Sequence, residues 1–164
     1  MARRVAGSRP SPRSPAARRF AVDASVFVNA INPHEQGHAA SLQALTRIHE
    51  RGDPIIVPAL LLTEVASALG RATGETTAAL DYVEAIVALP NVSIVTMTTA
   101  VARQAASLAA THRLRGADAV YVAVALRYGA VFVTRDGEQR TRGAAAVTCL
   151  SPEEVVKDVN GARP

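Results

Sequence analysis

Four apolar runs, each too short to form a helix alone, punctuate this sequence: Arg19-Phe20-Ala21-Val22, Ile55-Ile56-Val57, Val92 to Thr96, and Ala130 to Val133. None shows the apolar–polar alternation of a half-exposed strand. Each therefore predicts a strand buried on both faces. Ala146 to Thr148 supplies a fifth. Longer stretches with helical spacing separate them. Strands alternating with helices imply a parallel sheet flanked by helices, an α/β fold.

The helical stretches carry their own boundary signals. After Asp23 a short helix presents Val26, Phe27 and Ala30. Asn32-Pro33-His34-Glu35 has the form of a helix start, with Asn32 as N-cap, Pro33 at N1 and Glu35 at N3. That helix is expected to run to about Glu50, with Ala39, Leu42, Leu45 and Ile48 inward, and to end at Gly52. Further helices are expected from Pro58 to Arg71, Thr76 to Ala88, Thr98 to His112 and Ala117 to Tyr128, with Gly74 and Gly129 as stops.

Charge is divided unevenly along the chain. Residues 1–19 hold six arginines and no acid, out of 18 basic and 14 acidic residues in all. Residues 20–164 therefore carry 12 basic and 14 acidic groups, and the net +4 belongs to the tail. The expected layout is a disordered Arg-rich tail over 1–19, one domain over 20–150 and a C-terminal extension over 151–164. A basic tail of this kind binds nucleic acid or simply extends into solvent. It lacks the apolar stretch of a signal peptide, and Pro10, Pro12 and Pro15 oppose an amphipathic transit helix. No apolar run reaches the ~20 residues of a membrane span. The single cysteine, Cys149, excludes an internal disulfide or a cysteine-based zinc site and reads as a small core residue. A cytoplasmic protein is the expectation.

Four acids stand in apolar surroundings. Asp23 ends the first strand and Asp136 follows the fourth. Both sit at carboxyl ends of parallel strands, where open sheets bind ligands. Glu64 has Leu60, Leu61, Ser67 and Ala68 three and four residues away, so it points toward the protein. Asp118 has Leu114, Tyr121 and Val122 at such offsets and lies in the first turn of its helix. Two carboxylates ~5 Å apart repel by roughly 3 kcal/mol at an effective dielectric near 20. Four in one place need a divalent cation, and an all-oxygen ligand set favours Mg²⁺ or Mn²⁺ over zinc. The alternative is that each acid has a private partner: Asp118 with Arg115, or Asp136 capping a turn through Gly137.

Other motifs fit less well. His34-Glu35-Gln36-Gly37-His38 spells H-E-x-x-H, but Pro33 and Gly37 make it a poor zinc-binding helix, and no third ligand follows. A phospho-acceptor reading of Asp23 lacks a second acid two residues on, where Ser25 stands, and the only lysine is Lys157. Glycine-rich phosphate loops are absent, as is any Ser–His–Asp or Cys–His arrangement. Three Phe and three Tyr leave little scope for base stacking.

Taken together, Ala21-Val22-Asp23-Ala24-Ser25, Pro58 to Val65, Arg115-Gly116-Ala117-Asp118 through Ala123, and Val131 to Asp136 resemble the PIN domain. Within it they are most similar to VapC-type toxins of bacterial toxin–antitoxin pairs. The resemblance covers residues 20 to about 150. It implies a three-layer PIN-like fold with a short parallel sheet of four or five strands. It implies that Asp23, Glu64, Asp118 and Asp136 hold Mg²⁺ or Mn²⁺, with Thr134 and Ser25 supporting them. The implied activity is endonucleolytic hydrolysis of single-stranded or loop RNA, leaving a 5′ phosphate and a 3′ hydroxyl. Arg71, Arg115 and Arg135 are candidates for the RNA backbone. A cognate antitoxin and a homodimer are implied partners, with the Ala-rich helices 76–88 and 98–112 as packing surfaces. An RNA-processing nuclease without an antitoxin, or a non-catalytic binding module, are the competing readings.

Overall fold

The computed structural model describes residues 17–161, with side chains as far as Asp158. The arginines at 3, 4, 9 and 13, and the expectation of disorder attached to them, lie outside these residues. The strands are β1 (Phe20–Val22), β2 (Ile55–Pro58), β3 (Val92–Val95), β4 (Val131–Val133) and β5 (Cys149–Leu150). They form one parallel sheet in the order β3-β2-β1-β4-β5. Every residue of β1 and β2 is buried, so both faces of the sheet centre are covered, as the unbroken apolar runs require. The edge strands β3 and β5 are only half-buried.

The chain places β2 and β3 on one side of β1, then crosses back to place β4 on the other. The strand order thus reverses between β1 and β4. Val22 lies beside Val133 across that seam, and the Asp23 amide donates to the Val133 carbonyl at 2.9 Å. The residues that follow the two strands are held side by side at the crevice where parallel sheets bind ligands.

Eight helices surround the sheet among the described residues: α1 (Ala24–Asn29), α2 (His38–Glu50), α3 (Leu60–Thr73), α4 (Thr76–Val87), α5 (Thr99–His112), α6 (Gly116–Tyr128), α7 (Gly137–Gly143) and α8 (Pro152–Gly161). In α6, every residue from Ala119 to Ala125 is buried. It packs on β1, β2 and β4 while α5 closes over it, and its alanines allow that close approach. No described helix is long and apolar enough to cross a membrane.

Most boundaries agree with the sequence reading to within one or two residues, and three differ. The α2 start expected at Asn32 is a turn instead. Asn32 Oδ1 accepts from the His34 amide (3.2 Å) and its amide reaches Glu35 (3.0 Å), so the capping residues satisfy one another without starting a helix. Gly37, at φ +83°, then turns the chain, and α2 begins at His38. Its inward stripe is Ser41, Ala44 and Ile48, with Leu45 partly buried, while Ala39 and Leu42 face out. The fifth strand lies at Cys149–Leu150, slightly beyond Ala146–Thr148. Two helices, α7 and α8, are additional to those expected from the sequence. α8 packs on α2, and Arg18 pairs with its Asp158.

Gly37 is required twice over. Its φ is left-handed, and the Arg135 guanidinium fills the space a Cβ would take. Gly129 has φ +60° but open space around it. Gly129→Ala should therefore cost about 1–2 kcal/mol, the left-handed penalty alone. Gly37→Ala should cost more, about 2–3 kcal/mol, because Arg135 must also move. Urea unfolding of the two variants compares them directly.

Candidate active site

Asp23 follows β1 directly and caps α1. Its Oδ2 accepts from the Ser25 amide at 3.0 Å, and the residue is 9% exposed. Asp136 caps α7, where Oδ1 accepts from the amides of Glu138 (2.8 Å) and Gln139 (3.0 Å). Asp118 stands in the first turn of α6. Three carboxylates are thus held at the amino ends of three helices, where exposed N–H groups and the helix dipole favour negative charge. Glu64 comes from α3, and its Oε2 accepts the Tyr121 hydroxyl at 2.6 Å.

All four acids line one open cleft of roughly 750 Å³ above the seam between β1 and β4. None is in an ion pair among the described residues. The nearby cations are turned elsewhere: Arg115 and Arg142 to Glu138 (4.0 and 2.5 Å), and Arg135 to Glu153 (3.3 Å). Among the described residues none of the four is matched to its own arginine, and Asp136 does cap a turn, through backbone amides.

The electrostatics show that the four act on one another. Burial raises the Asp23 carboxyl above its ordinary range, and the Asp136 charge adds to this against the hydrogen bond from Ser25. Burial also raises Glu64, with the charges of Asp23 and Asp118 behind it and the Tyr121 hydrogen bond opposing. Asp118 is raised by burial and by Asp23 and Asp136, with Arg115 opposing. Among the described residues, no three His, Cys, Asp or Glu side chains form a ready-made cluster around one point. Glu64 is drawn to Tyr121 and Asp136 to the α7 amides, so the carboxylates share a wall without converging. Oxygen donors only, with no paired cation among the described residues, suit a hard divalent ion.

The supporting residues are more extensive than the sequence indicated. Thr134, 1% exposed, accepts from the Asp136 amide at 3.1 Å and donates to Gln139 Oε1 at 2.5 Å. Ser25 Oγ accepts from the Arg135 amide at 3.3 Å, tying α1 to the end of β4. Arg71 and Arg135 line the cleft, whereas Arg115 is exposed outside its lining. The Arg135 guanidinium donates to the carbonyls of Gln36 (3.1 Å) and Gly37 (3.4 Å).

Tyr121, Gln139, Asn29 and Glu35 also belong to the site or its walls, and the sequence reading gave none of them that place. Two had a signal. Asp136-Gly137-Glu138-Gln139 has the spacing of a capping box, which announces α7 and Gln139 together. Tyr121 lies three residues after Asp118 and shares its helix face. The H-E-x-x-H residues form no zinc site: His34 is exposed, Glu35 is bonded to Asn29 and Asn32, and His38 Nδ1 lies 3.1 Å from the Asn29 carbonyl.

A sequence profile of the PIN domain matches residues 20–144. No curated protein is significantly similar in sequence. Solved structures share the fold. A protein of Pyrobaculum aerophilum is 18% identical with a TM-score of 0.65, over 90% of this chain and 98% of that one. A VapC toxin of Mycobacterium tuberculosis, described as cleaving the sarcin–ricin loop, is 22% identical with a TM-score of 0.63, over 79% and 96%. The VapBC pair of Rickettsia felis, bound to a DNA fragment from its promoter, gives 12% and 0.62, over 81% and 98%.

The cost of burying these acids beside one another is measurable in stability. A carboxyl whose pKa folding raises gives its full contribution below the unfolded value and loses it as pH rises through the folded one. For Asp118 that loss begins near the usual 3.8. In protein free of divalent ions, Asp118→Asn should therefore melt higher than the parent at about pH 8, with the gap closing toward about pH 3.5. Calorimetry across this range checks the sign, and a variant that melts lower at pH 8 would contradict it.

Proposed function

Since the chain belongs to the PIN-domain family, we propose that it is a Mg²⁺- or Mn²⁺-dependent endoribonuclease that cuts single-stranded or loop RNA, and the toxin of a type II toxin–antitoxin pair. One observation carries the reading: four carboxylates without ion-pair partners among the described residues line one cleft at the reversal of strand order. A binding module would have no use for that repulsion, whereas a metal-dependent hydrolase needs it.

Asp23, Glu64, Asp118 and Asp136 are the residues to hold the ion. When bound, it supplies a water of lowered pKa and neutralises charge on the phosphate. The protein's own part is to place and orient. Thr134 fixes the backbone from which Asp136 projects, and Ser25 binds the Asp23 loop to the end of β4. Tyr121 fixes the rotamer of Glu64. Arg71 lines the cleft and is in no ion pair among the described residues, so its guanidinium is available to an RNA phosphate. Arg115 serves the same backbone from the rim. Arg135 acts mainly by bracing the wall that carries Glu35. Products carry a 5′ phosphate and a 3′ hydroxyl.

Residues 20–150 carry this activity as one domain, with a basic tail before it and an extension after it. The partners are RNA, a cognate antitoxin that blocks the cleft, and a second copy of the chain, in the cytoplasm. Leu80 and Val87, exposed on α4, offer apolar surface for such contacts.

Purified protein should cleave single-stranded RNA with Mg²⁺ or Mn²⁺ and stop on chelation. Asp23→Asn should lower kcat by at least about hundredfold, the equivalent of a few kcal/mol of metal-derived stabilisation. End-labelling identifies the product termini. Cleavage that survives chelation, or an unchanged rate in Asp23→Asn, would remove the proposed site.

A further inference from the structure

A fifth carboxylate lines the cleft, and its state differs from that of the other four. Glu35 sits in the turn between α1 and α2, in the segment whose H-E-x-x-H spelling finds no use as a zinc site. Asn29 Nδ2 donates to its Oε2 and Asn32 Nδ2 to its Oε1, each at 3.0 Å. These bonds, with the Arg135 charge beside them, hold its carboxyl below the ordinary range, opposite to Asp23, Glu64 and Asp118. Its oxygens are engaged by Asn29 and Asn32 in the turn, so its role is separate from that of the four acids.

The turn that carries Glu35 is fastened from several directions. Asn29 also donates to the Gln36 carbonyl at 3.1 Å, and Arg135 reaches the Gln36 and Gly37 carbonyls. Both Asn29 amide hydrogens go to oxygens that can only accept, which fixes the amide's orientation. Asn29 is 4% exposed, and its Oδ1 has no partner among the described residues. The bracing is out of proportion for a surface turn. It fixes the direction of one exposed carboxylate.

Fixed negative charge in a cleft for a phosphate polymer repels the backbone. What it attracts is an N–H-bearing base edge. Each Glu35 oxygen spends one lone pair on an asparagine and keeps another. Two parallel N–H donors match that fork. Guanine presents N1–H and N2–H side by side on its Watson–Crick edge. Adenine and cytosine offer one amine beside a ring acceptor, and uracil sets its N–H between two carbonyls. Single-stranded RNA leaves that edge open, and carboxylates recognise bases through such donors.

We propose that Glu35, braced by Asn29 and Asn32, is a specificity-determining residue that selects RNA with a guanine lodged in the cleft. The proposal rests on the ribonuclease reading above. Guanine should be preferred over adenine by about tenfold or more in kcat/KM, the scale of a good two-bond base contact. The experiment sequences the ends cut from a randomised single-stranded RNA pool. It then measures kcat/KM on defined oligomers carrying guanine, inosine or adenine at the selected position.

Inosine lacks only the N2 amine and should fall between the other two. Glu35→Gln keeps the shape but loses one acceptor, and should reduce the guanine preference to below about threefold. Its Mn²⁺ binding, measured by calorimetry on the protein alone, should persist. Asn32→Ala should give an intermediate preference. Cleavage without base preference, or a guanine preference retained in Glu35→Gln, overturns this inference and leaves the nuclease reading standing. Absence of any RNA cleavage by the parent protein overturns both.

Discussion

The gathering of four carboxylates into one cleft at the carboxyl edge of the sheet is the constraint around which the site is arranged. The sheet order creates it by setting Asp23 and Asp136 side by side across the β1–β4 seam. Helices α3 and α6 add to it by bringing Glu64 and Asp118 to the same cleft. Local devices keep the fold intact in spite of it. The Ser25, Glu138 and Gln139 amides cap two of the charges, and the Tyr121 hydroxyl draws Glu64 to one side. Backbone amides and a phenol stabilise carboxylates without neutralising them, so the negative potential of the cleft survives.

The disposition of cations follows the same logic. An arginine in the cleft centre would quench its negative charge. Glu138, exposed beside Asp136, takes up Arg115 and Arg142. Glu153, on α8, engages Arg135, whose remaining donors hold the turn between α1 and α2. Acids outside the cleft thus protect those within it. Arg71, at the cleft wall, bonds Ser67 and is in no ion pair among the described residues.

Much of the fold could be read directly. Ile55–Val57 and Phe20–Val22 are apolar without alternation because both faces are covered, and burial of that kind is written into composition. Helices α3 to α6 carry enough apolar spacing, or enough length, to declare themselves. The turn at 31–37 misled because its capping residues are the same ones that begin helices. Arg135, about a hundred residues away, occupies the space behind Gly37 and completes a turn there. Helices α7 and α8 are short, or polar over much of their surface, and are held by caps and by packing on α2.

The sequence by itself determined the layered parallel architecture and marked the four acids, because hydrophobic pattern and an acid in apolar surroundings are local properties. Only the tertiary structure decided how those acids are held apart, which arginines turn away, that Gln139, Asn29 and Glu35 share their cleft, and that Tyr121 backs Glu64. Those outcomes depend on distances between groups far apart in the chain, such as the 2.6 Å between Tyr121 and Glu64. Electrostatic and hydrogen-bond energies fall steeply with distance, and no periodicity in one segment encodes its distance to another.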